Sequence, residues 1–270
     1  MRQISRRHLH FVAVVGIAAF APFPSAAQEE ERPDFSGVWT VYIAPGENPG
    51  FSFGPTEEPP FTPEGKRRFD EYRKLVGITG EPLVGENPGA YCVPYGMPSM
   101  MEQAGFYPIE FIQRPEQLTI IYEVEGETRR VYFGDRNIPK EDRLPSRQGY
   151  SSGEWDGETL VVTTTDMTDS VDQMTHPHSD QAEIVERFNM GEGAQGEPVI
   201  SYEMTLTDPV YYTEPVHVSK KWTPLPNGRI MAYNCTEEPW LRLLEARKEQ
   251  LDAGEPLTVK MKDVIEVYEN

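Results

Sequence analysis

The chain has 270 residues, with 25 Lys and Arg against 44 Asp and Glu, for a formal net charge of −19. That balance sets nucleic acid and anionic membrane surfaces aside as partners by simple repulsion. What remains is a solvated acidic surface, with a cationic substrate or bound metal ions as minor readings. The length suits one large domain or two small ones.

The chain opens on an export signal. Arg2, Arg6 and Arg7 precede an apolar run from Phe11 to Phe23, which ends in Ser25-Ala26-Ala27. This is the basic, apolar, small-residue order of a secretory signal, with cleavage expected after Ala27. Ser5-Arg6-Arg7-His8-Leu9 is a twin-arginine variant. His10 departs from that motif's usual tail, so the twin-arginine and general secretory routes both stay open. The run is too short to remain as a membrane anchor. A periplasmic or secreted protein without an anchor is therefore expected. Removing residues 1–27 leaves 22 basic against 44 acidic residues, a net charge near −22, and only three histidines: His176, His178 and His217. Cys92 and Cys235 both fall in the exported part, which predicts one disulfide, with a free thiol as the weaker alternative.

Residues 28–34 read as a disordered acidic leader and 35–270 as one domain. A first strand is expected to open at Asp34-Phe35-Ser36-Gly37-Val38-Trp39 and run to about Ile43. The proline- and glycine-rich stretch 44–61 reads as a long loop. Thr62-Pro63-Glu64 combines a hydroxyl cap, a first-turn proline and an acid at the positive dipole end, which predicts a helix over 62–76. Residues 77–102 are irregular, with four prolines from Pro82 to Pro98. Short strands follow over 107–113, 117–124, 128–133, 148–155, 160–165, 183–190, 199–206, 216–222 and 229–234. Glu125-Gly126-Glu127 and Asp156-Gly157 supply hairpin turns between them. About ten strands at this spacing are expected of a sandwich or barrel. A second helix is expected over 239–253, with Gly254 as its stop.

Chemistry concentrates in Thr175-His176-Pro177-His178-Ser179-Asp180. In an extended segment, alternate side chains share a side, which places His176, His178 and Asp180 on one face. Three readings stay open: a metal site, with His217 as a distant third nitrogen; an acid–base site oriented by Asp180 or Glu186; and a polar loop whose histidines cap a strand. His176, His178 and Asp180 are the candidate catalytic residues. No cofactor is assigned, and a divalent metal stays open.

Further candidates line a ligand site. Arg129 and Arg130 alternate on one strand, so at most one faces inward; Arg130, sharing a face with Tyr132, is expected to be that one. Tyr91, Met97, Met100, Met101, Phe106 and Tyr107 form a soft, aromatic-rich loop fit to line an apolar pocket or to plug a barrel end. Glu110 and Glu123, inside apolar strands, read as solvent-face residues. Glu186-Arg187 reads as an ion pair or as support for the histidines. Arg130, Tyr107, Met97, Trp155 and Glu186 are the expected ligand-binding residues. Ser151, Ser152 and Ser179 lack a Gly-x-Ser-x-Gly context, which disfavours a serine hydrolase.

Several motifs occur together in order: Asp34-Phe35-Ser36-Gly37-Val38-Trp39, Cys92-Val93-Pro94-Tyr95-Gly96-Met97-Pro98, Trp155-Asp156-Gly157-Glu158-Thr159-Leu160-Val161-Val162, and His176-Pro177-His178-Ser179-Asp180. With Glu186-Arg187-Phe188, they make the chain similar to a family of exported proteobacterial and acidobacterial proteins. The resemblance implies export and a shared fold over most of the mature chain, and carries over no activity. The helical tail after Cys235 departs from that family. Gly37-Val38-Trp39 separately resembles the lipocalin Gly-x-Trp signature. Together these imply an all-β protein with accessory helices, an antiparallel lipocalin-like β-barrel that binds a small apolar or aromatic molecule. The alternative is a lyase, isomerase or hydrolase using His176, His178 and Asp180, with or without a metal.

Overall fold

The computed structural model describes residues 32–46, 59–77, 92–103, 107–172 and 175–265. The export signal, most of the acidic leader, Tyr91 and Phe106 lie outside the described residues.

Strand β1 (Gly37–Val41) is separated from the main run of strands by helices α1 (Pro63–Leu75) and α2 (Ser99–Gln103). Then come β2 (Ile109–Arg114), β3 (Gln117–Tyr122), β4 (Thr128–Phe133), β5 (Tyr150–Asp156) and β6 (Thr159–Thr165). A short pair, β7 (Ser170–Val171) and β8 (Pro177–His178), precedes β9 (Glu183–Glu192), β10 (Pro198–Thr207) and β11 (Val216–Pro224). Helices α3 (Glu238–Asp252) and α4 (Met261–Ile265) end the described chain. Nine strands close into a barrel in the order β1-β11-β10-β9-β6-β5-β4-β3-β2, with β7–β8 as a separate ladder. The all-β barrel with accessory helices is thus observed.

Two expectations need correction. The barrel is not wholly antiparallel, because β4 and β5 run parallel, with Val131 opposite Ser151 and Phe133 opposite Gly153. Parallel neighbours need a crossover of about a dozen residues or more, and segment 134–149 supplies it. Phe133 packs against Gly153, where an added Cβ would lie 2.3 Å from its ring. The strand expected over 229–234 does not form. Strand β1 already occupies the free edge of β11, and barrel closure leaves no edge to pair with. Instead, residue 235 forms the disulfide with Cys92, Cα–Cα 5.5 Å, joining the segment before α2 to the one before α3.

Helix α1 begins as its sequence dictates: the Thr62 side chain accepts a hydrogen bond from the Gly65 N–H, with Pro63 in the first turn. Alternation along the strands sends Phe111, Leu118, Ile120, Val162, Phe188 and Tyr202 into the barrel, all nearly or fully buried. Met97, Met100 and Met101 join the same cluster, so the methionine-rich loop plugs the barrel rather than lining an open cup. Tyr122 donates a hydrogen bond to the Met101 sulfur at 2.9 Å. A smaller apolar cluster of Val76, Trp240, Leu243 and Met261 binds α3 and α4 to the end of α1.

The inward arginine is Arg129, not Arg130. Arg129 is 2 % exposed and Arg130 lies on the outer face. Parity on β4 is set by its apolar residues: turning Arg130 inward would expose Val131 and Phe133. All three nitrogens of the buried guanidinium are engaged. It makes a bidentate pair with Glu186, with Nη1 to Oε1 at 2.8 Å and Nη2 to Oε2. Nε donates to Ser151 Oγ at 3.0 Å and Nη2 to Thr164 Oγ1 at 2.7 Å. Tyr202 donates to Glu186 at 2.9 Å. One residue from each of β4, β5, β6, β9 and β10 thus forms a polar belt across five adjacent strands.

Removing one partner of a buried pair strands the other charge, at a cost of about 3–5 kcal/mol. Arg129→Met is therefore expected to lower unfolding free energy by about that amount, whereas Arg129→Met with Glu186→Leu recovers most of it. Urea denaturation checks this; a single variant as stable as the parent would show the belt to be dispensable.

Candidate functional site

After β6 the chain leaves the barrel wall, and residues 166–172 and 175–182 form a flap built on β7 and β8. Ser170 pairs with His178 and Val171 with Pro177. Asp172 closes the loop between them: its Oδ1 accepts the His176 N–H at 2.7 Å, and its own N–H donates to the His176 carbonyl at 2.9 Å. Thr175, at φ 70°, turns the chain back. Past β8, Asp208 from the β10–β11 turn pins the strand's end. It accepts from the Ser179 N–H at 2.7 Å and from the Ser179 hydroxyl at 2.8 Å. The Tyr212 hydroxyl donates to the Pro177 carbonyl at 2.6 Å.

Helix α1 covers this flap, held to the same turn by the Thr62 hydroxyl, which donates to the Val210 carbonyl at 2.6 Å. Gly65 lets the helix approach closely, since a Cβ there would lie 2.1 Å from the Tyr211 carbonyl oxygen. The approach stacks Phe69 on the His176 ring, centroids 5.9 Å apart at 14°.

His176, His178, Asp172, Glu102 and Tyr212 line one cavity, together with apolar Met204, Leu206 and Val216 from the barrel end. Its volume is about 20 Å³, room for one water molecule. His178 is 4 % exposed, and among the described residues its Nε2 has no hydrogen-bond partner. The Thr168 main chain favours the charged form of His178.

The two histidines are driven in opposite directions. Burial disfavours the charged form of His176, but Asp172, with Nδ1–Oδ2 at 3.5 Å, and Glu102 outweigh it and raise its pKa. For His178, burial outweighs the more distant Asp172, Asp169 and Asp208 and lowers the pKa. Burial pushes the Glu102 carboxyl up to about 7, aided by Asp172 and opposed by His176 and Lys220. Burial also pushes the Lys220 ammonium down to about 8, opposed by Glu102.

The structure brings together only part of the expected set. His176 and His178 share the cavity, but Asp180 is exposed in the turn after β8. Ser179 is drawn to Asp208, extended alternation ends there, and Asp172, four residues before His176, supplies the carboxylate instead. Arg130 is on the outer face. Glu186 serves Arg129 in the barrel core, away from the histidines. Met97 is fully buried in the plug. Trp155 stacks on Phe35, centroids 5.9 Å apart, and Tyr107, 44 % exposed, packs edge-on against Tyr233. None of these five lines the cavity. His217 is exposed on β11 beside Thr205, 3.1 Å away. Glu110 lies on the outer face of β2, between buried Ile109 and Phe111, and Glu123 accepts from the Met231 N–H at 2.9 Å.

Sequence reasoning missed Asp172 and Glu102. Glu102 was legible as a lone acid beside Met100 and Met101.

Among the described residues, the three metal-ligating side chains whose ligand atoms lie within 4.8 Å of one another are Cys92, Glu125 and Cys235, and their sulfurs are joined in the disulfide. The histidine cavity does not present such a preformed set. No protein-family model matches the chain, and no curated protein matches it.

His176, with its pKa raised above 6.5, contributes stability that is fully present below pH 6.5 and lost as pH rises through its folded value. His178, with its pKa lowered, works the other way: its contribution grows as pH climbs from its folded value to 6.5. Asp172→Asn keeps the acceptor for the His176 N–H but removes the charge, leaving burial unopposed except by Glu102. Its expected effect is a fall in the His176 midpoint with His178 staying below 6.5, read by NMR titration of the imidazole carbons; an unmoved His176 midpoint would contradict this assignment.

Proposed function

We propose that the protein is an exported barrel that takes a small polar molecule at its flap-covered end and transfers a proton on it, as a lyase, isomerase or hydrolase does. The observation that carries this reading is the pair of histidines on one cavity with pKa values driven apart. Two titratable groups separated in this way make an acid and a base at one pH. Neutral His178 offers the Nε2 lone pair as base. His176, whose charged form Asp172 favours, serves as the acid, and Glu102 is a second proton carrier near neutrality.

The barrel fold is compatible with a lipocalin-like binder of a small apolar or aromatic molecule, but the packed interior leaves that ligand little room. Side chains and the methionine plug occupy the space that such a ligand needs, and the histidine cavity admits only a small group of the substrate. Export is supported by the Cys92–Cys235 disulfide and by the basic, apolar, small-residue order of residues 1–27. Among the described residues no helix is long and apolar enough to cross a membrane.

The test uses p-nitrophenyl acetate as a small acyl probe. General-base catalysis contributes about 10²–10⁴ in rate, so His178→Gln is expected to lower turnover at least a hundredfold while the circular dichroism spectrum is kept. Turnover unchanged in both His178→Gln and His176→Asn, with folding intact, would sink the proposal.

A further inference from the structure

We propose that the Cys92–Cys235 bond is an exchange centre for small thiols: an external thiolate attacks the Cys235 sulfur, and Glu125 protonates the departing Cys92 sulfur. This rests on no part of the histidine site.

The turn between β3 and β4 builds the centre from three alternate acids. Glu127 accepts the Gly96 N–H at 3.2 Å and so holds the segment that carries Cys92. Glu123 accepts the Met231 N–H at 2.9 Å and holds the segment that carries Cys235. Glu125 stands between these two acids. One of its carboxylate oxygens and the two sulfurs all lie within 4.8 Å of one another. Its Oε1 is buried and has no hydrogen-bond partner among the described residues. Glu125 and Cys92 both hold left-handed backbone, φ 59° and 62°, which a non-glycine residue keeps only where its surroundings impose it.

A purely structural staple needs no carboxyl against its sulfurs. An ionised carboxylate oxygen buried without a partner is costly, so Glu125 keeps a proton. Burial pushes its carboxyl up to about 7, and Glu127 and Glu237 act in the same direction. The other titratable groups around it are Tyr233, on which Glu125 acts, and Arg147, which pairs with Glu237 at 3.0 Å. A thiolate formed beside the protonated carboxyl receives a charge-assisted hydrogen bond and then the proton. The two cysteines are unequal, since Cys235 is exposed and Cys92 half-buried. An incoming thiol therefore meets Cys235 first, and the electron pair departs on Cys92. Exposed disulfides belong to the labile and catalytic class.

The step balances with the external thiol as its reductant. The thiolate forms a bond to Cys235 Sγ, the Cys92–Cys235 bond breaks, and its electron pair leaves on Cys92 Sγ, which takes the Glu125 proton. Water returns a proton to Glu125. A second thiolate attacks the external sulfur of this mixed disulfide, and Cys235 leaves as a thiolate that water protonates. Two external thiols become one disulfide, and the protein gains two thiols.

The probe is 2-mercaptoethanol, whose lack of charge suits the acidic surroundings, added to the full-length oxidised protein. Adducts are trapped with N-ethylmaleimide and located by peptide mass mapping, and rates are expressed per thiolate. The mixed disulfide is expected on Cys235 over Cys92 by about tenfold or more. The parent rate is expected to fall by about tenfold or more as pH rises through about 7. Glu125→Gln is expected to give a flat profile, about tenfold or more below the parent at about pH 6. Mixed disulfide chiefly on Cys92 overturns the order of attack. A flat parent profile, or a Glu125→Gln rate equal to the parent's at low pH, removes Glu125 as the donor, and the parent profile decides this even if the variant fails to fold. Absence of both adduct and reduction in the folded parent overturns the exchange centre and leaves a structural staple.

Discussion

The barrel depends on one buried ion pair. Arg129 and Glu186 come from strands that are not neighbours, and their side chains meet in an interior otherwise filled by Phe111, Ile120, Phe188 and Tyr202. A pair in that setting is weak evidence of stabilisation, since its desolvation offsets much of its attraction. What it imposes is register. A one-residue slip of β4 or β9 would carry the charge to the outer face and bring a neighbour inward. Ser151, Thr164 and Tyr202 extend the same demand to β5, β6 and β10. The parallel β4–β5 contact, which has no tight hairpin to fix it, is spanned by the Arg129–Ser151 hydrogen bond.

A correctly registered barrel leaves its end to be finished by non-barrel segments. The α2 plug supplies Glu102, the β7–β8 flap supplies Asp172, His176 and His178, and α1 covers His176 with Phe69. These pieces converge on the β10–β11 turn, where Asp208 holds Ser179 and the Tyr211–Val210 backbone holds Thr62. The polar belt in the barrel core is satisfied, whereas this end combines an imidazole nitrogen without a hydrogen-bond partner among the described residues and a carboxyl near neutrality. A cluster of shifted groups on one cavity is a candidate for chemistry.

Much of the fold was legible because its signals are local. The Thr62 cap and Pro63 announce α1, alternation announces the long strands, and Asp156-Gly157 announces the β5–β6 hairpin. The parallel crossover was not legible, because nothing in segment 134–149 states which way the next strand runs. The strand expected over 229–234 shows the converse: local propensity counts for nothing without an edge to pair with. At the site, the segment around His176 was found by the scarcity of histidines. Its carboxylate was sought downstream at Asp180 on the assumption of unbroken extension. The chain turns at Ser179 because Asp208 offers hydrogen bonds there, and that offer comes from 29 residues away.

By itself the sequence determined that residues 107–222 form short strands with a period of two, that helices flank them, and that two histidines and few other bases are available for chemistry. It did so because turn chemistry, capping and alternation act within a few residues. Only the tertiary structure decided that Arg129 rather than Arg130 faces inward, that Asp172 rather than Asp180 charges His176, and that Glu102 joins the histidines on one cavity. Each of those choices depends on what lies across a strand or under a loop. Burial and charge act through space, and the order of residues along the chain does not encode those neighbours.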